Sequence, residues 1–387
     1  MLARWIGERQ FQNSALPSCG AIASAAEPAV IGTGGQPYYN VSPYSANLAV
    51  SALLQSKAPN ASTVAGRWIG WYFAHLTRES APDGVPYNHF YHADGSGETT
   101  CIKPSDPALC HYNDATDSAA ATFFSVLWSA HEARVSDSVF NTPERKRQIE
   151  MLATLVLNLQ QRDGLCFAKG NYRVKYLEDN SEVFAGLCAL ANLERDVFND
   201  AQRETVYQAA AERVHAGILT ELYDPKARLF RAAKFENGDC PAPDLDTWYP
   251  DTQAQLWPVL FGVIPPNDSR ARSVTAAVDS HWPDWSRDPQ HVNQGWIEAG
   301  HAYAALLMGE TNRVWIYWEA VKRYKFRRSV DGKPQFAGPF SVDDAGWLLR
   351  LWGQTSNNEQ RTTNIERRTS NAGGRFGNLR YGKSATG

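Results

Sequence analysis

Residues 112–128 read YNDATDSAAATFFSVLW. A stretch of acids, amide and aromatic ring runs straight into a segment without a single charge. A helix that is apolar on every side belongs inside a layered helical protein. The transition recurs along the chain. Polar stretches at Tyr39–Tyr44, Asn113–Ser118, Glu178–Glu182, Trp248–Gln253, Asn293–Glu298 and Ser341–Trp347 precede LAVSALL, AAATFFSVLW, VFAGLCALANL, AQLWPVLFGV, AGHAYAALLMG and GWLLRLW. Six inner helices with polar starts predict a ring whose helix N-termini all open on one rim.

Amphipathic segments lie between the apolar ones. Ile149, Leu152, Val156 and Leu159 recur at helical spacing, as do Val206, Ala210, Val214 and Ile218. Segments 62–77, 268–280 and 312–325 and the short Arg4–Gly7 complete a set of outer helices. One helical hairpin then forms each unit. Inner-to-outer links are short, near 57–61, 194–199 and 309–311. Outer-to-inner links are long, at 12–39, 79–112, 162–177, 220–247, 281–292 and 328–340. Long loops therefore gather at the rim and wall a pocket there. Val85–His92, Leu165–Tyr176 and Leu222–Phe235 read as β-hairpins, and Pro258 should kink or shorten its helix. The fold expected is an all-α (α/α)6 barrel over residues 1–353. The polar residues 354–387 form an attached tail, expected to be disordered.

Composition narrows the function. With 387 residues and 43% hydrophobic content the chain can bury a large core. A net charge of −3 argues against nucleic acid or an acidic membrane surface. No run approaches the ~18 apolar residues of a membrane span. The six cysteines include no CxxC pair, so no zinc site is expected from them. Cys101 and Cys110 flank a proline-containing loop that a disulfide can close, and a disulfide would imply export. No signal peptide stands at the start, so a secreted or periplasmic protein is expected in its mature form. A monomer is assumed.

The polar starts carry the candidate chemistry. Asp114 and Asp117 stand three apart at one helix mouth, and Glu178, Asp179 and Glu182 crowd another. Asp251 follows Trp248 and Tyr249 in a third. Helix capping is the plain alternative, worth ~1 kcal/mol for each cap. It explains one acid per helix, but not the rings beside it. Glycosidic cleavage needs a carboxylic acid to protonate the leaving oxygen and a carboxylate to activate water or attack carbon. Asp117 and Asp179 are the first choice for that pair, with Asp114, Glu182 and Asp251 in reserve. Tyr44, Tyr87, His92, Glu178, Trp248, Tyr249, Gln253, Gln294 and Trp296 are candidates for binding sugar faces and hydroxyls, and Asn180 is a further amide for hydroxyls. Asp343 and Trp347 repeat the pattern more weakly. His89 and His92 are possible bases, but no carboxylate stands beside them in a recognised metal spacing. No metal or cofactor is expected.

The stretches YNDATDSAAATF, YLEDNSEVFAGL and WYPDTQAQLWPVL resemble inner-helix starts of the six-hairpin (α/α)6-barrel glycosidase superfamily. That resemblance implies catalytic acids at Asp114, Asp117, Glu178, Asp179, Glu182 or Asp251, and a glycoside hydrolase that inverts configuration. A polysaccharide lyase on the same barrel is the alternative, but it would want a basic pocket. A non-catalytic carbohydrate-binding protein is a third reading. Asp114-x-x-Asp117 is too thin a motif for a metal-dependent terpenoid cyclase.

Overall fold

The computed structural model describes residues 1–31, 35–76, 84–102, 110–290, 294–328 and 334–353. Helices follow in chain order as α1 (Leu2–Glu8), α2 (Pro43–Gln55), α3 (Ala61–Ala74), α4 (Thr116–Glu132), α5 (Pro143–Leu159) and α6 (Leu177–Leu193). They continue as α7 (Ala201–Gly217), α8 (Trp257–Leu260), α9 (Ser269–His281), α10 (Ala299–Leu307), α11 (Thr311–Lys325) and α12 (342–353). The even-numbered helices are the inner ones, as the run of uncharged residues requires. The odd-numbered helices are amphipathic and lie outside. In α5, Ile149, Leu152, Val156 and Leu159 are buried while the charged face stays wet.

Close contacts fix the order of the inner ring. The Asn47 side chain of α2 donates to the Ala119 carbonyl of α4 at 3.2 Å. A Cβ on Gly186 of α6 would stand 2.6 Å from the Ala121 Cα of α4, so these helices meet backbone to backbone. Trp257 of α8 reaches Glu182 of α6, and Gly300 of α10 faces Leu260 of α8. Tyr303 of α10 packs on Trp347 of α12 with ring centres 5.9 Å apart. A Cβ on Gly346 of α12 would lie 2.9 Å from the Ala49 Cα of α2, which closes the circle. The order is α2–α4–α6–α8–α10–α12, so α12 stands opposite α6. The (α/α)6 expectation holds.

Pro258 acts as expected on its helix. The inner helix breaks into a π-helical turn, Trp248–Thr252, and the short α8. The loops depart further from expectation. Strands run β1 (Val30–Ile31), β2 (Pro37–Val41), β3 (His89–Tyr91), β4 (Val174–Tyr176), β5 (Tyr223–Asp224), β6 (Leu229–Phe230), β7 (Ala233–Phe235), β8 (Phe326–Arg328) and β9 (Pro334–Phe336). Only the third expected hairpin is a local strand pair, β5 with β6, and its turn is tied by the Asp224 carboxylate to two backbone N–H groups. β3 pairs instead with β2, and β4 with β7. The first two hairpin readings are corrected: alternation located strands, but their partners come from distant loops. Pairing across loops stitches neighbouring rim segments together. The Cys101–Cys110 disulfide is present. The tail at 354–387 and Asn293 lie outside the described residues.

Candidate active site

Helix caps do not follow the rings strictly: the inner α2 is capped by Ser42, and the outer α3 and α11 have no side-chain cap. Outer helices α5, α7 and α9 are capped by Thr142, Asp200 and Asp268, whose side chains accept backbone N–H groups. Inner helices α4, α6 and α10 have no side-chain cap. Glu178 and Asp179 sit in the first turn of α6 yet do not cap it. Glu178 Oε1 and Asp179 Oδ2 are buried atoms without a hydrogen-bond partner. Capping therefore does not account for the inner-ring acids. It does account for Asp344, which exchanges bonds with Ser341 in a capping box at the start of α12. Its neighbour Asp343 has an unpartnered buried oxygen, Oδ1.

The six inner starts converge on a cavity of about 340 Å³. Tyr44 comes from α2, Asp114 and Ser118 from the mouth of α4, and Glu178 and Asp179 from α6. Gln253 and Trp257 come from the broken helix, Glu298–Gly300 from α10, and Asp343, Asp344 and Trp347 from α12. Tyr249, 59% exposed, and Trp296, 40% exposed, stand at the mouth. The lining holds six carboxyl groups and, among the described residues, no Lys, Arg or His.

Beneath the lining, Glu182 Oε1 accepts from the Tyr44 hydroxyl at 2.6 Å and from Trp257 Nε1 at 3.2 Å. These bonds hold a lining phenol and a lining indole in place. Asp117 is fully buried. Its Oδ1 accepts from the Ser118 N–H at 2.8 Å and its Oδ2 has no partner.

So many acids without a cation must hold protons. Burial pushes Glu178 up, helped by Glu182, Asp179, Glu298 and Asp114. Burial and the nearby Asp114 raise Asp179 to about 7, against the downward pull of Lys169. Lys169 itself donates to the Asn113 carbonyl and lies 5.2 Å over the Tyr112 ring. Burial raises Asp117 and Glu182, and Asp179 adds to both. Burial also raises Asp343.

The candidates from the sequence divide as follows. Asp114, Asp179, Tyr44, Glu178, Tyr249, Gln253 and Trp296 line the cavity together. Asp117 and Glu182 lie packed beneath it, and Asp251 stands apart, accepting from the Asp244 N–H at 3.2 Å. Trp248 is buried between Trp282 and His301. Tyr87 is buried against His111, and His92 packs at a tilt on Tyr38 with ring centres 4.2 Å apart. Gln294 is exposed at positive φ, away from the lining. Asn180 spends its amide on Cys166 and Tyr176 backbone groups, so it is structural. Glu298 and Asp343 line the cavity but were not chosen as site residues. They occupy the same position at an inner-helix start as the acids that were, and that signal could have found them.

No sequence-family model and no curated protein sequence matches the chain. Solved structures do. A wild-type glycosidase superposes over 90% of this chain and 95% of its own, with TM-score 0.58 at 14% identity. An alpha-amylase from Clostridium perfringens matches with TM-score 0.57 at 11% identity, over 92% and 96%. The GH76 alpha-mannanase of Bacteroides thetaiotaomicron matches with TM-score 0.52 at 12% identity, over 94% and 97%. A D-mannose isomerase matches with TM-score 0.55 at 10% identity, over 92% and 96%. The chain shares its (α/α)6 fold with these proteins.

Proposed function

We propose that the protein is a glycoside hydrolase that cleaves a polysaccharide or oligosaccharide with two carboxyl groups and inverts the anomeric centre. One observation carries this reading: six inner-helix starts bring carboxyls and aromatic rings, without a cation among the described lining residues, to one cavity. Its volume falls within the ~300–1,000 Å³ of small-ligand sites. Glycosidases among proteins of the same fold add support.

Glu178 is the general acid in this proposal. It lines the cavity, and burial with the neighbouring carboxyls of Glu182, Asp179, Glu298 and Asp114 favours its protonated form. Asp343 is the base, on the opposite wall, where α12 faces α6 across the ring. Opposed carboxyls leave room for a water beside the sugar, the inverting arrangement. The proton passes from Glu178 to the leaving glycosidic oxygen, and water attacks the anomeric carbon as Asp343 takes its proton. Asp117, first choice from the sequence, is too deeply buried to meet a substrate. Asp179, the other first choice from the sequence, lines the cavity and becomes the reserve acid. Tyr249 and Trp296 offer ring faces to a pyranose.

An acid-lined cavity repels a uronate, which counts against the lyase alternative. The Cys101–Cys110 bridge fits an oxidising compartment, and secretion is part of the proposal. The test is a panel of α- and β-linked gluco- and manno-oligosaccharides, a polyuronate and free mannose, followed by reducing-end assay, ultraviolet absorbance and proton NMR of the first anomer released. Expected is hydrolysis of at least one linkage, with inversion. An unsaturated product would establish the lyase instead, and ketose formed from free mannose would establish an isomerase. Binding without turnover across the panel would leave only a sugar-binding protein.

A further inference from the structure

A second cluster of chemistry-bearing residues gathers where α3 ends. His75 follows the last turn of α3, His89 opens β3, and Glu98 lies on the loop that returns to bridge Phe90 through Thr99. Candidate ligand atoms of His75, His89 and Glu98 all lie within 4.8 Å of one another. His89 Nδ1 is 2.9 Å and His75 Nε2 3.3 Å from Glu98 Oε1. These two separations are near the ~3.3 Å edge of a tetrahedron with metal–ligand bonds of ~2.0–2.1 Å.

Proton placement gives an independent reason. His75 Nδ1 lies 2.7 Å from the Trp71 carbonyl oxygen. A carbonyl only accepts, so Nδ1 carries the proton. In the neutral ring, Nε2 is then a lone pair aimed at a carboxylate oxygen. This lone pair and the Glu98 oxygen, 3.3 Å apart, are two donor atoms that a cation between them would hold. The same Glu98 oxygen already takes the Tyr91 hydroxyl at 2.8 Å. His89 is 2% exposed, and its Nε2 has no hydrogen-bond partner. A backbone carbonyl fixing the far nitrogen, as Trp71 does for His75, is how metal-bound histidines are oriented.

We infer that His75, His89 and Glu98 form a three-ligand site for a divalent transition metal of zinc type, with a fourth position left to water. The pairing of His89 with His92 considered from the sequence is not the one used, since His92 packs on Tyr38. The ion ties the end of α3 to β3, whose partner β2 leads into α2 and Tyr44. None of the three ligands lines the cavity, so the ion is structural and takes no part in sugar chemistry.

The test uses the full chain, dialysed against a chelator and titrated with Zn²⁺ by calorimetry and with Co²⁺ by visible absorption. Expected are one equivalent bound, an intense tetrahedral Co²⁺ band, and a higher melting temperature with Zn²⁺. Glu98→Gln and His89→Gln should each weaken binding at least ~10-fold. No binding, a weak octahedral Co²⁺ band, or affinity in both variants unchanged from that of the unaltered chain would overturn the site. The Co²⁺ spectrum of the unaltered chain decides the matter even if the variants fold poorly.

Discussion

Asp163 and Asp179 stand on either side of β4 and are handled in opposite ways. Asp163 Oδ2 accepts from Lys175 Nζ at 2.6 Å and from Lys234 Nζ at 2.9 Å, and the two lysines face each other across the β4–β7 pair. Burial works to raise its pKa, but the lysines more than offset this and hold it below the ordinary value. Asp179 meets burial and Asp114, and rises to about 7. One acid is matched with cations and serves the fold. The other is left among acids and holds a proton near neutrality. Holding such a group costs stability, the usual trade at a working site.

The largest expected effect separates the two regions by activity. On a cleaved glycoside, Glu178→Gln and Asp343→Asn should each lower kcat by about 10²–10⁴-fold. Asp163→Asn should leave kcat little changed. Equal losses in all three would erase the distinction.

A second test perturbs the scaffold under the cavity. Gly186→Ala puts a methyl into the Ala121 backbone of α4 and should cost about 1–3 kcal/mol in urea unfolding. A neutral result would mean that α4 and α6 do not touch this closely.

The third test is one of sign. Asp179 binds a proton more tightly folded than unfolded. Its stabilising contribution is complete below the ordinary carboxyl range and is lost as pH rises through about 7. Asp179→Asn should therefore gain roughly 1 kcal/mol at pH ~8 and little at pH ~4. Asp163 behaves oppositely, because its contribution is present above the ordinary carboxyl range and is lost as pH falls through its lowered value. Asp163→Asn should lose roughly 1 kcal/mol near neutral pH and little in acid. Melting curves of both variants across pH would show the two trends crossing, or fail to.

The smallest expected effect concerns the mouth. Trp296→Ala should weaken substrate binding by about 1 kcal/mol, read as a roughly fivefold rise in KM with kcat less affected. A matching fall in kcat would place the ring closer to the chemistry.

Much of this fold was legible because helices with few charges beyond their first turns admit one environment. The polar starts at Asn113, Glu178 and Ser341 marked inner-helix mouths, and the acid-rich cavity followed. Strand partners were not legible, because alternation in Val85–His92 shows an extended segment but not which distant loop borders it. Individual roles were less legible still. Asp117 and Asp179 look alike in sequence at their helix starts, yet only Asp179 faces the cavity, because rotation about a helix axis is set by packing. Asn180 and Trp248 looked like sugar contacts in polar stretches. The fold uses the first to bond backbone and the second as core.

The most direct measurement is a carbon-13 NMR titration of the Asp and Glu side-chain carboxyls, in the unaltered chain and in Asp179→Asn. The account predicts at least one carboxyl titrating at about 7, absent from Asp179→Asn. Every carboxyl titrating below pH ~5, in the ordinary range, would contradict it.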